Sequence, residues 1–206
     1  MLSRRALLAG SVAALVAPAV AAADATDDLL ARVARARARV RTLQGPFTQT
    51  RTLGLLATDV RSRGTLTLVC PDRLRWDLAP PDDVSFFVGP EGMAYRGPHG
   101  QAAAVPPIAR FGGVLDDLRT VLGGDLRALR PRWDLRALRD DATGAEIEAT
   151  PRPGGDARLA SLRFALAADL VRPTSALLVE GPKDRTDVQF GAMVVDAPVD
   201  AARMRP

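Results

Sequence analysis

The side chains that most often carry covalent or metal chemistry are scarce in this sequence. His99 is the only histidine and lies in a Gly-Pro-His-Gly turn, and Cys70 is the only cysteine. A Ser-His-Asp or Cys-His site would have to use His99, and one histidine with one cysteine cannot complete a tetrahedral zinc site. No Gly-x-Ser-x-Gly motif and no phosphate-binding glycine loop is present. We therefore expect no enzyme, no cofactor and no metal.

The remaining candidates for chemistry have simpler interpretations. The acid pairs Asp82-Asp83 and Asp116-Asp117 are expected to be solvated surface rather than general acids. A single cysteine cannot form an internal disulfide, so the fold must depend on its core. Cys70 is then either a buried small hydrophobe, which we favour, or a free thiol exposed to oxidation.

The N-terminal residues have the pattern of an export signal. Arg4 and Arg5 precede an apolar run, Ala6 to Ala23, that ends in three alanines. This predicts a signal peptide over 1–23, and the double arginine also resembles a twin-arginine signal. The alternative is a membrane anchor, although the run is barely long enough to span a bilayer. No cysteine follows the run to accept a lipid, so we expect a soluble periplasmic protein with one domain over 24–206.

The charge balance argues against nucleic acid as a partner. The chain has 28 basic and 24 acidic residues. Without Arg4 and Arg5, 26 basic residues remain, which gives a net charge of +2 (26 − 24). A dedicated nucleic-acid binder carries a much larger basic excess.

The stretch from Gly64 to Asp77 predicts a β-hairpin near the centre of the fold. Leu66 and Leu68 alternate with threonines, Pro71-Asp72 is turn chemistry, and Leu74 and Trp76 alternate with arginines. The predicted hairpin has one apolar and one polar face.

Further periodic segments surround this hairpin. Helical spacing from Thr26-Asp27-Asp28 to Leu43 predicts a first helix, ended by Gly45-Pro46. A second helix is predicted over 114–122 and ended by Gly123-Gly124. Short apolar segments punctuated by Gly and Pro predict antiparallel strands over 47–53, 59–69, 73–78, 84–88, 93–96, 101–105, 133–139, 146–150, 159–167, 175–180 and 186–195.

The order of these motifs resembles the LolA family of periplasmic lipoprotein carriers. In the family, the pattern runs from a helix through F-x-Q, G-x-L-x-x-x-x-P-x-x-F/L-x-W and a proline shortly after it to D-G-x-x-x-x-Y. It is carried here by Phe47, Gln49, Gly64, Leu66, Pro71, Leu74, Trp76, Gly92 and Tyr95. The similarity extends more weakly to the segment 186–190, and it covers nearly all of the chain after the predicted signal.

The resemblance implies a mainly β fold with helices: an incomplete, strongly curved antiparallel β-barrel with helices covering its concave face. Family members shelter lipoprotein acyl chains there, receive them from an inner-membrane ABC-type release complex and pass them to an outer-membrane acceptor. We expect a monomer that binds acyl chains or another lipid. The predicted cavity residues are Phe47, Leu66, Leu68, Leu74, Trp76, Phe86, Val88, Met93 and Tyr95, and those of a lid helix are Val114, Leu115, Leu118, Val121 and Leu122.

The sequence departs from the family at the hairpin turn. Many carriers have an arginine directly before the hairpin proline that ties to the lid helix, and here that position is Cys70. A thiol cannot donate a fork of charged hydrogen bonds. Either a nearby arginine such as Arg73 or Arg75 replaces it, or the gate works differently.

Two other function classes are compatible with the sequence. A periplasmic regulator could use the same fold to sense a lipid or lipoprotein signal, although such proteins generally carry a second domain. A secreted enzyme is the third hypothesis, which the shortage of catalytic side chains disfavours.

Overall fold

The computed structural model describes residues 17–55, 58–90, 92–98, 102–104, 112–153 and 159–205. Most of the predicted signal peptide and His99 lie outside these ranges. Two α-helices are described, α1 (Ala17–Arg37) and α2 (Gly112–Gly123), together with short 3-10 turns at Leu126–Leu129 and Ala201–Met204. Among the described residues, no helix combines the length and the apolar character needed to cross a membrane.

The described strands follow the predicted series. They are β1 (Thr42–Thr52), β2 (Val60–Val69), β3 (Arg73–Leu78), β4 (Val84–Gly89), β5 (Gly92–Arg96), β6 (Ala102–Ala104), β7 (Trp133–Asp141), β8 (Gly144–Pro151), β9 (Ser161–Ala167), β10 (Pro173–Val179), β11 (Arg185–Phe190) and β12 (Val194–Val195).

These strands form one antiparallel sheet whose two ends remain apart. The order is β6-β5-β4-β3-β2-β1-β11-β10-β9-β8-β7, and β12 pairs with the start of β1. The first and second strand series therefore join at β1 and β11, in the middle of the sheet. Helix α2 connects the two edge strands along the chain. The predicted incomplete, curved antiparallel barrel with helices on one face is confirmed.

Alternation along the strands places the apolar residues on the face that the helices cover. In the central hairpin, Leu66 lies opposite Trp76 and Leu68 opposite Leu74. A single cluster of buried side chains joins this face to α1, α2 and the first 3-10 turn, and the helical members are Leu29, Leu30, Val33, Leu118, Val121, Leu122, Leu126 and Leu129. We refer to this side of the sheet as the inner face and to the opposite side as the outer face.

The first helix differs from its prediction at both ends. It begins at Ala17 rather than near Thr26, because the alanine-rich residues before Thr26 are strong helix formers. It ends at Arg37, and β1 already begins at Thr42. Leu43 fits the helical spacing but pairs as a strand residue with Leu68.

Pro46 is accommodated inside β1, where it was expected to end a helix. Its carbonyl accepts a hydrogen bond from the Gly191 N–H at 2.8 Å. The N–H that proline lacks would point to the same side, where β11 ends at Phe190 and β12 begins only at Val194. The strand therefore loses no ladder bond at this position.

Edge strand β7 is covered by the first helix. The hydroxyl of Thr26 accepts a hydrogen bond from the Ala137 N–H at 3.1 Å. Thr26 is buried, with 3% of its surface exposed. The predicted helix cap is instead a tertiary contact. The pairing of β7 with β8 also shifts register between Ala137 and Arg139.

Candidate functional site

The candidate site is the inner face of β1 to β5 with helix α2 lying over it. Cross-strand pairs place all nine predicted cavity residues on this face. The rings of Phe47 and Trp76 are 4.0 Å apart, and those of Phe86 and Tyr95 are 6.1 Å apart. The structure thus brings together the residues that the sequence grouped by alternation.

These side chains are packed rather than open to solvent. Phe47, Leu66, Leu68, Leu74, Trp76 and Val88 are each at most 8% exposed, whereas Phe86 and Met93 are half-buried against the same core. The structure therefore describes a closed state, in which α2 and neighbouring side chains cover most of this face. A pocket of about 590 Å³ remains beside Phe47, Leu78 and Phe190. Contact of these residues with lipid stays a prediction.

Helix α2 supplies much of this cover. Leu118, Val121 and Leu122 are each at most 4% exposed within the shared core. Val114 and Leu115 belong to the helix, but their side chains lie outside the described residues. At the end of the helix, an added Cβ at Gly123 would lie 2.0 Å from Leu68 Cδ2 and 3.3 Å from Cys70 Sγ. Only glycine lets α2 approach β2 so closely.

Arg37, which was not among the predicted site residues, binds the end of α2. Its Nη1 donates to the Val121 carbonyl at 2.8 Å and to the Gly124 carbonyl at 3.3 Å. The last carbonyls of a helix lack intrahelical donors and carry partial negative charge, so a guanidinium there satisfies and neutralises them. We call this contact the Arg37 latch.

Burial of the Arg37 guanidinium costs desolvation free energy. Arg37 is 6% exposed, and burial lowers its pKa to about 10. The guanidinium therefore remains charged at neutral pH. Its Nε and Nη2 are buried without a hydrogen-bond partner among the described residues. Unsatisfied buried donors weaken the closed state, so the latch holds the helix with less than its full strength.

The predicted gate residues lie in different places. Cys70 is half-buried, and its N–H donates to the Arg41 carbonyl at 2.8 Å. Burial raises the pKa of its thiol, an effect that the nearby charge of Arg37 opposes. Arg75 lies on the outer face, where its Nε contacts Asp77 Oδ2 at 2.8 Å. Arg73 shares that face and lines an outer cleft. Arg37, rather than Arg73 or Arg75, therefore makes the contact with the end of α2, and a gating role for Cys70, Arg73 or Arg75 stays a prediction.

Polar contacts also attach α2 to its neighbours. Asp117 Oδ2 accepts a hydrogen bond from Trp133 Nε1 at 3.0 Å, and Asp117 Oδ1 pairs with Arg132. Arg119 Nη1 donates to the carbonyl of Asp72 at 3.2 Å, in the turn of the central hairpin. Asp117 is 5% exposed, so its prediction as solvated surface is wrong. The helix meets both halves of the sheet through these contacts.

The described residues offer no metal centre. No group of three or more His, Cys, Asp or Glu side chains within the described ranges is arranged to hold a metal ion. The arrangement that the structure does provide is an apolar face, a helix that covers it and a charged latch.

Comparison with known proteins gives relatives in structure but not in sequence. The sequence matches no known family profile and no curated protein. A DUF1329 family protein from Desulfovibrio piger superposes with a TM-score of 0.54 at 10% identity, covering 89% of this chain and 97% of that one. MucB superposes with a TM-score of 0.51 at 16% identity, covering 89% of this chain and 63% of MucB.

A LolA superfamily protein from Nitrosomonas europaea is also similar, with a TM-score of 0.48 at 9% identity over 88% of this chain and 97% of that one. The scores above 0.5 show that the chain shares the fold of the DUF1329 protein and of MucB, and at these identities the likeness concerns the fold alone. The chain spans less than two thirds of MucB. The open, curved antiparallel sheet with helices on one face is the architecture that the sequence analysis expected.

Proposed function

We propose that this protein is a periplasmic carrier that shelters the acyl chains of a lipoprotein or related lipid between the inner face and α2. The supporting observation is the apolar seam between Leu118, Val121 and Leu122 and the inner face of the sheet, closed at its end by the Arg37 latch. Cargo would replace the helix side chains on the sheet. No covalent step is required, so the proposed function is not enzymatic.

The two latch bonds are one part of the free energy that holds α2 closed. A hydrogen bond from a charged group contributes about 1.5–3 kcal/mol, and each buried CH₂ group contributes about 0.8 kcal/mol. Burial of a few methylene groups thus offsets the loss of the latch bonds. The helix side chains then compete with cargo for the same face, which favours release. In the proposed route, an inner-membrane ABC-type complex loads the carrier and an outer-membrane acceptor unloads it.

A reversible crosslink between α2 and β2 tests this proposal. In the variant Leu68→Ala/Gly123→Cys, the introduced thiol lies beside Cys70, because the Cβ position at 123 is 3.3 Å from Cys70 Sγ and the clashing Leu68 side chain has been shortened. We expect the oxidised form to take up less of a fluorescent triacylated lipopeptide than the reduced form, by about tenfold or more.

The single variant Leu68→Ala, treated with the same oxidant, is the control and should bind equally in both states. Mass spectrometry of the gently purified protein should also find acyl lipid. Equal uptake by the locked and unlocked forms, once the disulfide has been confirmed by mass, would rule out a movable α2.

A periplasmic regulator is the second candidate. The closed packing of the inner face favours it, since a protein-binding surface needs no internal space. MucB, whose fold is shared, has been solved in complex with MucA. Capture from a membrane extract separates the candidates: a signalling membrane protein supports a regulator, whereas lipoproteins support a carrier.

A further inference from the structure

The C-terminal segment crosses the outer face of the sheet, away from α2. It turns at Asp196, whose φ of 56° is in the left-handed region. Asp196 Oδ1 accepts hydrogen bonds from the N–H groups of Arg41 at 2.7 Å and Thr42 at 3.3 Å. Farther along, the Arg203 carbonyl accepts a bond from Arg75 Nη1 at 2.5 Å, and Met204 is 8% exposed. The segment is thus attached at both ends.

A cleft of about 1080 Å³ lies between this segment and the sheet. Its sheet side includes Val69, Phe87 and Ala94, which cross-strand pairs place on the outer face. The C-terminal segment contributes Pro198, Val199 and Met204 to the other side. This volume slightly exceeds the usual range for small-molecule sites, about 300–1,000 Å³. The cleft can therefore take a ligand with a long apolar part.

The charge of the lining is positive. Arg41, Arg73 and Arg205 line the cleft, and Asp196 is the acid among the described lining residues. Asp196 already accepts two backbone N–H groups, and these bonds, with the charge of Arg41, hold the pKa of its carboxyl below the ordinary value. It stays ionised, so the described lining residues carry three guanidinium groups and one carboxylate. Guanidinium groups match the planar geometry of a carboxylate.

We propose that this outer cleft binds a single-chain anionic amphiphile of the long-chain carboxylate class. The acyl chain lies along Phe87, Ala94 and Met204, and the carboxylate meets the arginines at the rim. The cleft opens on the outer face and the α2 seam lies on the inner face, and of the predicted cavity residues only Val88 and Met93 also border the cleft. The ligand's acyl chain could bind here while α2 covers the inner face.

Binding of the fluorescent fatty acid parinaric acid, compared with its methyl ester, tests the proposal. We expect saturable binding of the acid at one equivalent, displaced by palmitate, and at least tenfold weaker binding of the ester. Arg205→Gln should weaken binding about tenfold, the factor that corresponds to the loss of one charged hydrogen bond. Arg61→Gln, an exposed change on β2 outside the cleft lining, should leave binding unchanged.

Two further variants locate the bound acid. Ala94→Trp places an indole in the path proposed for the acyl chain and should weaken binding at least tenfold. The oxidised Leu68→Ala/Gly123→Cys protein, in which α2 is locked, should bind the acid as well as its reduced form does. Equal binding of acid and ester, or loss of binding in the locked form, would overturn the outer site. The lipopeptide experiment is judged separately, so either proposal can fail alone.

Discussion

At the scale of single residues, the feature that matters most is a charged side chain on an apolar stripe. Leu29, Val33 and Arg37 are spaced by four residues on α1, and all three are buried. The spacing could have identified Arg37 in the sequence as an arginine on the core side of a helix. Its partners could not be found in this way, since Val121 and Gly124 are more than 80 residues distant in the chain.

The latch predicts a specific effect of Arg37→Lys. Lysine keeps the positive charge but loses the guanidinium fork, so we expect the contacts to Val121 and Gly124 to weaken. Local opening of the end of α2 should become easier by about 1.5–3 kcal/mol. Hydrogen exchange of the α2 amides measures this change, and Arg35→Lys, an exposed position on the last turn of the same helix, is the matched control. Unchanged exchange in Arg37→Lys would show that the guanidinium does not hold the helix.

At the scale of elements, the seam between α2 and β2 depends on the absence of a side chain at Gly123. The sequence predicted both elements and the end of the helix at these glycines. It could not predict the close approach, because Gly123 meets Leu68 only after the hairpin and the helix have packed. The same limit explains Asp117, whose burial follows from its contact with Trp133.

Gly123→Ala should therefore destabilise the fold. An added Cβ would lie 2.0 Å from Leu68 Cδ2, and overpacking of a core typically costs about 1–3 kcal/mol. Urea unfolding followed by circular dichroism measures the loss. Gly181→Ala is the control, since the nearest atom there is Asp184 Oδ2 at 3.7 Å.

A double variant tests whether the clash with Leu68 causes the loss of stability in Gly123→Ala. In Leu68→Ala/Gly123→Ala the clash is removed, so the two changes should be less destabilising together than the sum of their separate effects. Additive losses would show that the clash is not responsible.

At the scale of the whole molecule, two strand series share one sheet and one core. Local alternation predicted the individual strands and their antiparallel arrangement. It could not predict that β1 pairs with β11, because that pairing joins segments more than 130 residues apart in sequence. The position of the inner face was predictable for the central hairpin, whereas the outer cleft depends on the path of the C-terminal segment and left no signal in the sequence.

The shared core predicts a single unfolding transition. Trp76 lies in β3 and Trp133 at the start of β7, so the chain's two tryptophans report on different halves of the sheet. In Trp76→Phe and Trp133→Phe, the fluorescence of the remaining tryptophan and the far-UV circular dichroism should give the same urea midpoint. Separate midpoints within either variant would show that the halves unfold independently.

The bond from Ala137 to Thr26 has a consequence for how copies of this protein behave at high concentration. An unpaired edge strand is a template for strand addition between molecules and hence for aggregation. On β7, the Thr26 hydroxyl occupies one of the edge donors, and the irregular pairing between Ala137 and Arg139 interrupts the regular ladder that an incoming strand would need. The first helix therefore hinders strand addition at this edge. We expect Thr26→Val, which removes the Thr26 hydroxyl, to favour fibres rather than ordered dimers.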